Sequence, residues 1–404
     1  MKKLPALVLG IVTSIGGFVE AGSISTAAQA GAEFGFALLW AIALAALLVA
    51  MLSEMAGRVA CVSRRSMVAA VRERFGVPFQ LVPLAGELAI DLVLLTAEIG
   101  GAAIALKMLS GLAFPWWVVP VAALAWLVLW LGSFSLIEDG VGLLGTVTLS
   151  FIVAAWWLQP DAGDLARGFV PRLPENNVTR YAFLAVGIVG ATVSPYLLNF
   201  YSSGTIEEKL GEPDLWINRT TAYGGMVMGS VVSMGVLVTA AVVLHPAQVR
   251  VDSYENAALM FTPVFGEWGT ALFALSLGVG CFGAAVEIAL NTGYALSQSL
   301  GWSWGADKPR RQAARFTATF TLMLVMAAAI GVTGLDPLLL TQIALALTVV
   351  LMPAIVLPFL VLMNNPAYVK THRSGPIGNV LLATLTVAGA LMALVVIPLE
   401  IMGG

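Results

Sequence analysis

Eleven apolar runs follow one another along this chain, near residues 5–25, 36–62, 80–107, 114–133, 137–158, 181–204, 221–245, 267–298, 314–333, 338–363 and 377–400. Charged or Pro/Gly-marked breaks separate them. Roughly 20 apolar residues are what a helix needs to cross a hydrocarbon core about 30 Å thick. Inside that core every backbone N–H and C=O must be satisfied within protein, so runs of this length and number specify a helical bundle in a bilayer. Composition agrees: 59% of the 404 residues are apolar and 11% charged, against about 45–50% and about 25% for a soluble globular chain. The expectation is an all-α membrane protein of about 11 transmembrane helices, forming one domain over residues 1–404 with the lipid bilayer as its partner. A net charge of −3 gives no reason to expect nucleic acid.

The 20 Lys and Arg set the orientation. With a cytoplasmic N-terminus, Lys107, Arg167, Arg172, Arg180 and Arg250 fall outside and the other 15 inside. The positive-inside rule therefore predicts a multi-pass plasma-membrane protein with an odd number of spans, N-terminus in and C-terminus out. Lys2-Lys3, the run after them and Ala28-Gln29-Ala30 imitate a secretory leader, but Glu20 late in the run favours a retained first helix. The loops are too short for a soluble domain. Residues 252–265 read as a short outer helix and residues 64–75 as a basic amphipathic helix at the anionic leaflet. Cys61 and Cys281 lack paired spacing and read as packing residues.

Two spans carry helix breakers at depth. In the first, Gly16, Gly17 and Gly22 surround Glu20 and Ser23, and each glycine costs about 1 kcal/mol against alanine in a helix interior. In the sixth, Gly190-Ala191-Thr192-Val193-Ser194-Pro195-Tyr196 holds a proline, which removes one helical hydrogen bond and clashes with the carbonyl four residues back. Both helices are predicted to unwind, and such backbone survives at membrane depth only where it lines a cavity or is buried in protein. The breaks head two successive groups of five spans. Five is odd, so the second group is inserted upside down: a LeuT-type 5+5 inverted repeat, with repeat one over 5–158, repeat two over 181–363 and an extra helix at 377–400. Glu20, Ser23, Ser194 and the freed carbonyls make a candidate cation site between the discontinuous helices.

Further acids lie inside the spans. Glu87, Asp91 and Glu98, four and seven residues apart, share one face of span three. A carboxylate at the bilayer centre costs at least about 2.5–3.5 kcal/mol and normally faces the bundle interior or water. Glu98 reads as part of a cation or proton path; Glu87 and Asp91 either extend that path or are solvated near the cytoplasmic end. On span eight, Gly280, Gly283, Glu287 and Asn291 form a small-residue seam with two polar groups. Glu287 is either a hydrogen-bond partner of span one or three, or a ligand or gate residue. Glu54, Glu138 and Asp139 read as interfacial, and His245 and His372, at helix ends, as unsuited to metal.

The run Gln29-Ala30-Gly31-Ala32-Glu33-Phe34-Gly35-Phe36-Ala37-Leu38-Leu39-Trp40 resembles the segment that follows the DPGN motif of the Nramp family of divalent-metal transporters, which sets Glu20-Ala21-Gly22-Ser23 on DPGN. Glu98-Ile99-Gly100-Gly101-Ala102-Ala103-Ile104-Ala105-Leu106 is similar to the family's third-helix E-x-x-G-x-A-x-A-L. Ala191 to Tyr196 is similar to the sixth-helix A-x-x-M-P-H, and Leu340-Thr341-Gln342-Ile343 to the tenth-helix L-S-Q-V. The resemblance covers the whole chain in span order and is most specific just after the first break. It implies a metal site formed by Glu20, Ser23, the Ala191 carbonyl, Ser194 and Gln342.

The departures from the family pattern alter the implied chemistry. Where the family has Asp, Asn and Met, this chain has Glu20, Ser23 and Ser194, so the acid is kept and the thioether is gone. Oxygen ligands suit Mg²⁺, Ca²⁺ or Mn²⁺, whereas thioether favours softer metals; Mg²⁺ is often held by one carboxylate and retained waters. Loss of the methionine is similar to the magnesium-transporting branch related to Nramp. The family's proton route uses an Asp three residues before the third-helix Glu and a His after the sixth-helix Pro; here those positions are Leu95 and Tyr196. The resemblance thus implies a secondary transporter or facilitator of divalent cations, Mg or Mn favoured, weakly or not proton-coupled, monomeric, with the ion as substrate and no cofactor.

Two other classes compete. The same architecture serves amino acids and organic cations, and Tyr196, Phe200 and Tyr201 could offer an aromatic face to an ammonium. A membrane enzyme has little support: the sequence holds no His-rich metal motif, no protease pairing and no phosphate loop.

Overall fold

A computed structural model describes residues 19–402, and among them all regular structure is helical. Nine helices of the described residues are long and apolar enough to cross a bilayer: Leu39–Ser63, Val77–Ser110, Phe134–Trp157, Val178–Glu207, Glu212–Val243, Tyr254–Leu300, Ala314–Gly331, Pro337–Met363 and Pro376–Ile401. The shorter apolar helix Pro115–Leu131 occupies the place of span four, and Ala21–Phe34 is the described half of span one. The rest of the first run, including Lys2, Lys3, Gly16 and Gly17, lies outside the described residues. The elements follow the expected order. Span six is broken as its proline requires, into Val178–Thr192 and Pro195–Glu207.

Span one departs from the expected bounds. Its apolar run was read to 25, yet the helix continues to Phe34 and stops at Gly35, where φ is +57°. Polar side chains interrupt the hydropathy but are satisfied internally: Thr26 donates to the Gly22 carbonyl at 2.7 Å and Gln29 to the Val251 carbonyl at 3.0 Å. The amphipathic stretch after Arg65 is helical over Met67–Phe75, with Ser66 as its N-cap. The outer segment forms two short helices, Tyr254–Ala258 and Thr262–Phe265.

Polar contacts between helix ends sort those ends onto two faces. Arg180 at the start of span six bonds Glu33 at 2.7 Å and Glu400 at 3.2 Å, gathering the end of span one and the end of span eleven. On the opposite face, Arg58 donates to the His372 carbonyl and Arg64 to the Leu210 carbonyl, joining the ends of spans two and six to the loop after span ten. Glu54, expected at the interface, is buried and paired with Arg58.

Two glycines let backbones meet at the breaks. A β-carbon at Gly280 would overlap the Val19 carbonyl, and one at Gly190 the Leu345 carbonyl. Gly280 thus seats span eight against the break in span one, and Gly190 seats the break in span six against span ten.

Candidate functional site

Glu20 has extended backbone (φ −113°, ψ 178°) and stands immediately before the half-helix that starts at Ala21. Its N–H donates to Ser23 Oγ at 2.9 Å, and the Ser23 hydroxyl donates back to the Glu20 carbonyl at 3.0 Å. The first N–H groups of a helix have no partner within it and carry partial positive charge. Here the Ala21 N–H donates to Glu98 Oε2 at 3.2 Å, so a span-three carboxylate caps the helix that starts at Ala21.

The second break faces the first. Val193 and Ser194 leave the helical region, with φ/ψ of −111°/70° and −88°/140°. Pro195 has no N–H, so the Ala191 carbonyl has no donor at the fourth position on. One residue later, the Tyr196 hydroxyl donates to Glu20 Oε2 at 2.7 Å. Span eight meets this region at Gly280, against the Val19 carbonyl, and Glu287 lies about two turns further along it, buried.

Burial makes this cluster chemically pointed. Glu20 is 1% and Glu98 0% exposed, and one oxygen of each, Oε1, has no hydrogen-bond partner among the described residues. A buried carboxylate oxygen left unpaired is expensive, and a bound cation or a proton relieves it. Among the described residues no three His, Cys, Asp or Glu side chains converge as a ready-made metal shell. A divalent ion at Glu20 would therefore keep part of its water, as Mg²⁺ commonly does.

The remaining candidates fall into separate places. The Ser194 hydroxyl donates to the Gly190 carbonyl at 3.1 Å. Gln342 donates to Gln29 at 3.1 Å, about two turns along the half-helix from Gly22. Glu87 and Asp91 are buried rather than solvated and share the Asn291 amide, with Asn199 also on Glu87. Tyr196, Phe200 and Tyr201 present no common aromatic face: Tyr196 bonds Glu20, the Phe200 ring packs beside Phe134 and Tyr294, and Tyr201 donates to the Asn218 carbonyl. Cys281, read as packing, is buried with its Sγ against Gly101 of span three.

Comparison with known proteins gives the following likenesses. Residues 10–398 match the family described as natural resistance-associated macrophage protein-like, Nramp. The chain is 28% identical over 292 residues to a divalent metal cation transporter MntH of Deinococcus radiodurans, a match spanning 68% of this chain and 64% of that protein. Its fold is similar to a manganese transporter of Eremococcus coleocola, at a TM-score of 0.80 and 18% identity, covering 96% of this chain and 85% of that one. It is also similar to Mhp1, a nucleobase-cation-symport-1 family transporter, at a TM-score of 0.60 and 16% identity over 96% and 91% of the two chains.

Proposed function

This chain belongs to the Nramp family, and from that premise we propose that it carries divalent cations across the plasma membrane, favouring Mg²⁺ or Mn²⁺, without tight proton coupling. The N-terminus is cytoplasmic and the C-terminus outside. The ion binds where the two broken helices meet, with Glu20 as its charged ligand, the Ala191 carbonyl and the Ser23 and Ser194 positions contributing oxygens, and water completing the shell. Oxygen without sulfur is the ligand chemistry of hard cations.

One observation carries this reading: Glu20 Oε1 is buried with no hydrogen-bond partner among the described residues, where the break of span six supplies a carbonyl freed by Pro195. Titration calorimetry of the purified protein against Mg²⁺, Mn²⁺ and Ca²⁺ tests it. Heat with Mg²⁺ and Mn²⁺ is expected, with the binding event of the Glu20 site lost in Glu20→Ala. No heat with any of the three at millimolar concentration would contradict it and favour an organic solute.

A further inference from the structure

A second acidic cluster sits on three of the helices that build the Glu20 site, displaced on each of them in the same direction. On span three, Glu87 and Asp91 precede Glu98; on span six, Asn199 follows Tyr196; on span eight, Asn291 follows Glu287. Span three runs opposite to spans six and eight in the expected topology, so all three shifts point toward the face that carries Arg58 and Arg64. At 1.5 Å per residue they amount to about 5–16 Å.

The cluster contains two carboxylates and no cation. Asn291 Nδ2 donates to Glu87 Oε1 at 3.0 Å and to Asp91 Oδ2 at 3.2 Å, and Asn199 Nδ2 donates to Glu87 Oε1 at 2.7 Å. Glu87, Asp91, Asn199 and Asn291 are 3%, 1%, 3% and 0% exposed. Among the described residues no Lys, Arg or His forms an ion pair with either acid. The other end of each amide, Asn199 Oδ1 and Asn291 Oδ1, is buried with no hydrogen-bond partner among the described residues. Two acceptors are thus stranded while two amide donors stand in for missing positive charge. A half-turn of each amide about its terminal bond exchanges N for O. Both amide carbonyls would then lie beside Glu87 Oε1, and that of Asn291 beside Asp91 as well, giving two carboxylates and two carbonyls, a hard oxygen set of charge −2.

We propose that Glu87, Asp91, Asn199 and Asn291 form a second divalent-cation site, on the route between the Glu20 site and the face bearing Arg58 and Arg64. The choice of ion rests on the function proposed above; the site itself rests on the four side chains.

The test is the Mn²⁺ stoichiometry of the full chain in detergent, read as free against bound Mn²⁺ by electron paramagnetic resonance. Two ions per wild-type chain are expected, with one lost in Glu87→Gln and in Asp91→Asn and the other lost in Glu20→Ala. Asn199→Leu, which leaves both acids in place, should weaken the second ion several-fold. Size-exclusion profiles separate loss of a site from loss of fold. One ion lost in Asp91→Asn and none lost in Glu20→Ala supports this site while contradicting the Glu20 reading. Monodisperse Glu87→Gln, Asp91→Asn and Asn199→Leu with the wild-type isotherm, or a wild type that binds no Mn²⁺, overturns it.

Discussion

The Tyr196 hydroxyl donates to Glu20 Oε2 at 2.7 Å, across a separation of 176 residues. Glu20 stands at the start of the half-helix of span one and Tyr196 just after the break in span six, so this bond joins one directly to the other. It occupies one carboxylate oxygen and leaves the other, Oε1, facing the site.

Removing that hydroxyl should weaken cation binding without disturbing the fold. A hydrogen bond to a charged group contributes about 1.5–3 kcal/mol, or about 10–150-fold in affinity. It also stabilises the carboxylate form that a cation requires. Tyr196→Phe is expected to lower Mg²⁺ and Mn²⁺ affinity by about tenfold or more in calorimetry. Unchanged affinity would mean that the phenol does not orient Glu20.

Selectivity should follow the ligand at position 194. Ser194 opens the second half of span six, and methionine there would bring a soft thioether to the break. Ser194→Met is expected to shift competition in uptake assays several-fold toward Mn²⁺, Cd²⁺ or Fe²⁺ and away from Mg²⁺. Unaltered competition would show that this side chain does not face the ion.

Cation uptake should proceed without a matching proton flux. Leu95 carries no proton, and a tyrosine, with a reference value of about 10, does not replace an imidazole near 6.5. Proteoliposomes containing a pH-sensitive dye should show no acidification during uptake. Acidification that tracks the imposed cation gradient and disappears in Glu98→Gln would contradict this.

Packing at the first break should be intolerant of a methyl group. In Gly280→Ala the β-carbon would meet the Val19 carbonyl, and overpacking of this kind costs about 1–3 kcal/mol. A lower thermal midpoint in detergent is expected for Gly280→Ala but not for Gly140→Ala, where a β-carbon would meet nothing within 4 Å. Equal midpoints would refute the close contact.

The spans and the break in span six were legible because their causes are local: apolar length sets the one, and proline at depth sets the other. Glu20 stood out for the same reason, as an acid in a segment that cannot stay helical. Its bond to Tyr196 was not legible, because it depends on how two distant breaks meet. Glu87 and Asp91 shared a helix face by spacing, but position along span three left burial and solvation both open; Asn199 and Asn291 decide it from other helices. Gln342 entered through its motif alone, and its side chain is directed to Gln29 instead.

Uptake of Mg²⁺ and Mn²⁺ into proteoliposomes by the wild type and by Glu20→Ala tests the central claim most directly. The substitution removes the one charged ligand at the meeting of the two breaks and leaves the Ala21 cap from Glu98 in place. Abolished uptake of both ions by a monodisperse variant is the predicted result. Uptake by Glu20→Ala at the wild-type rate would contradict the account.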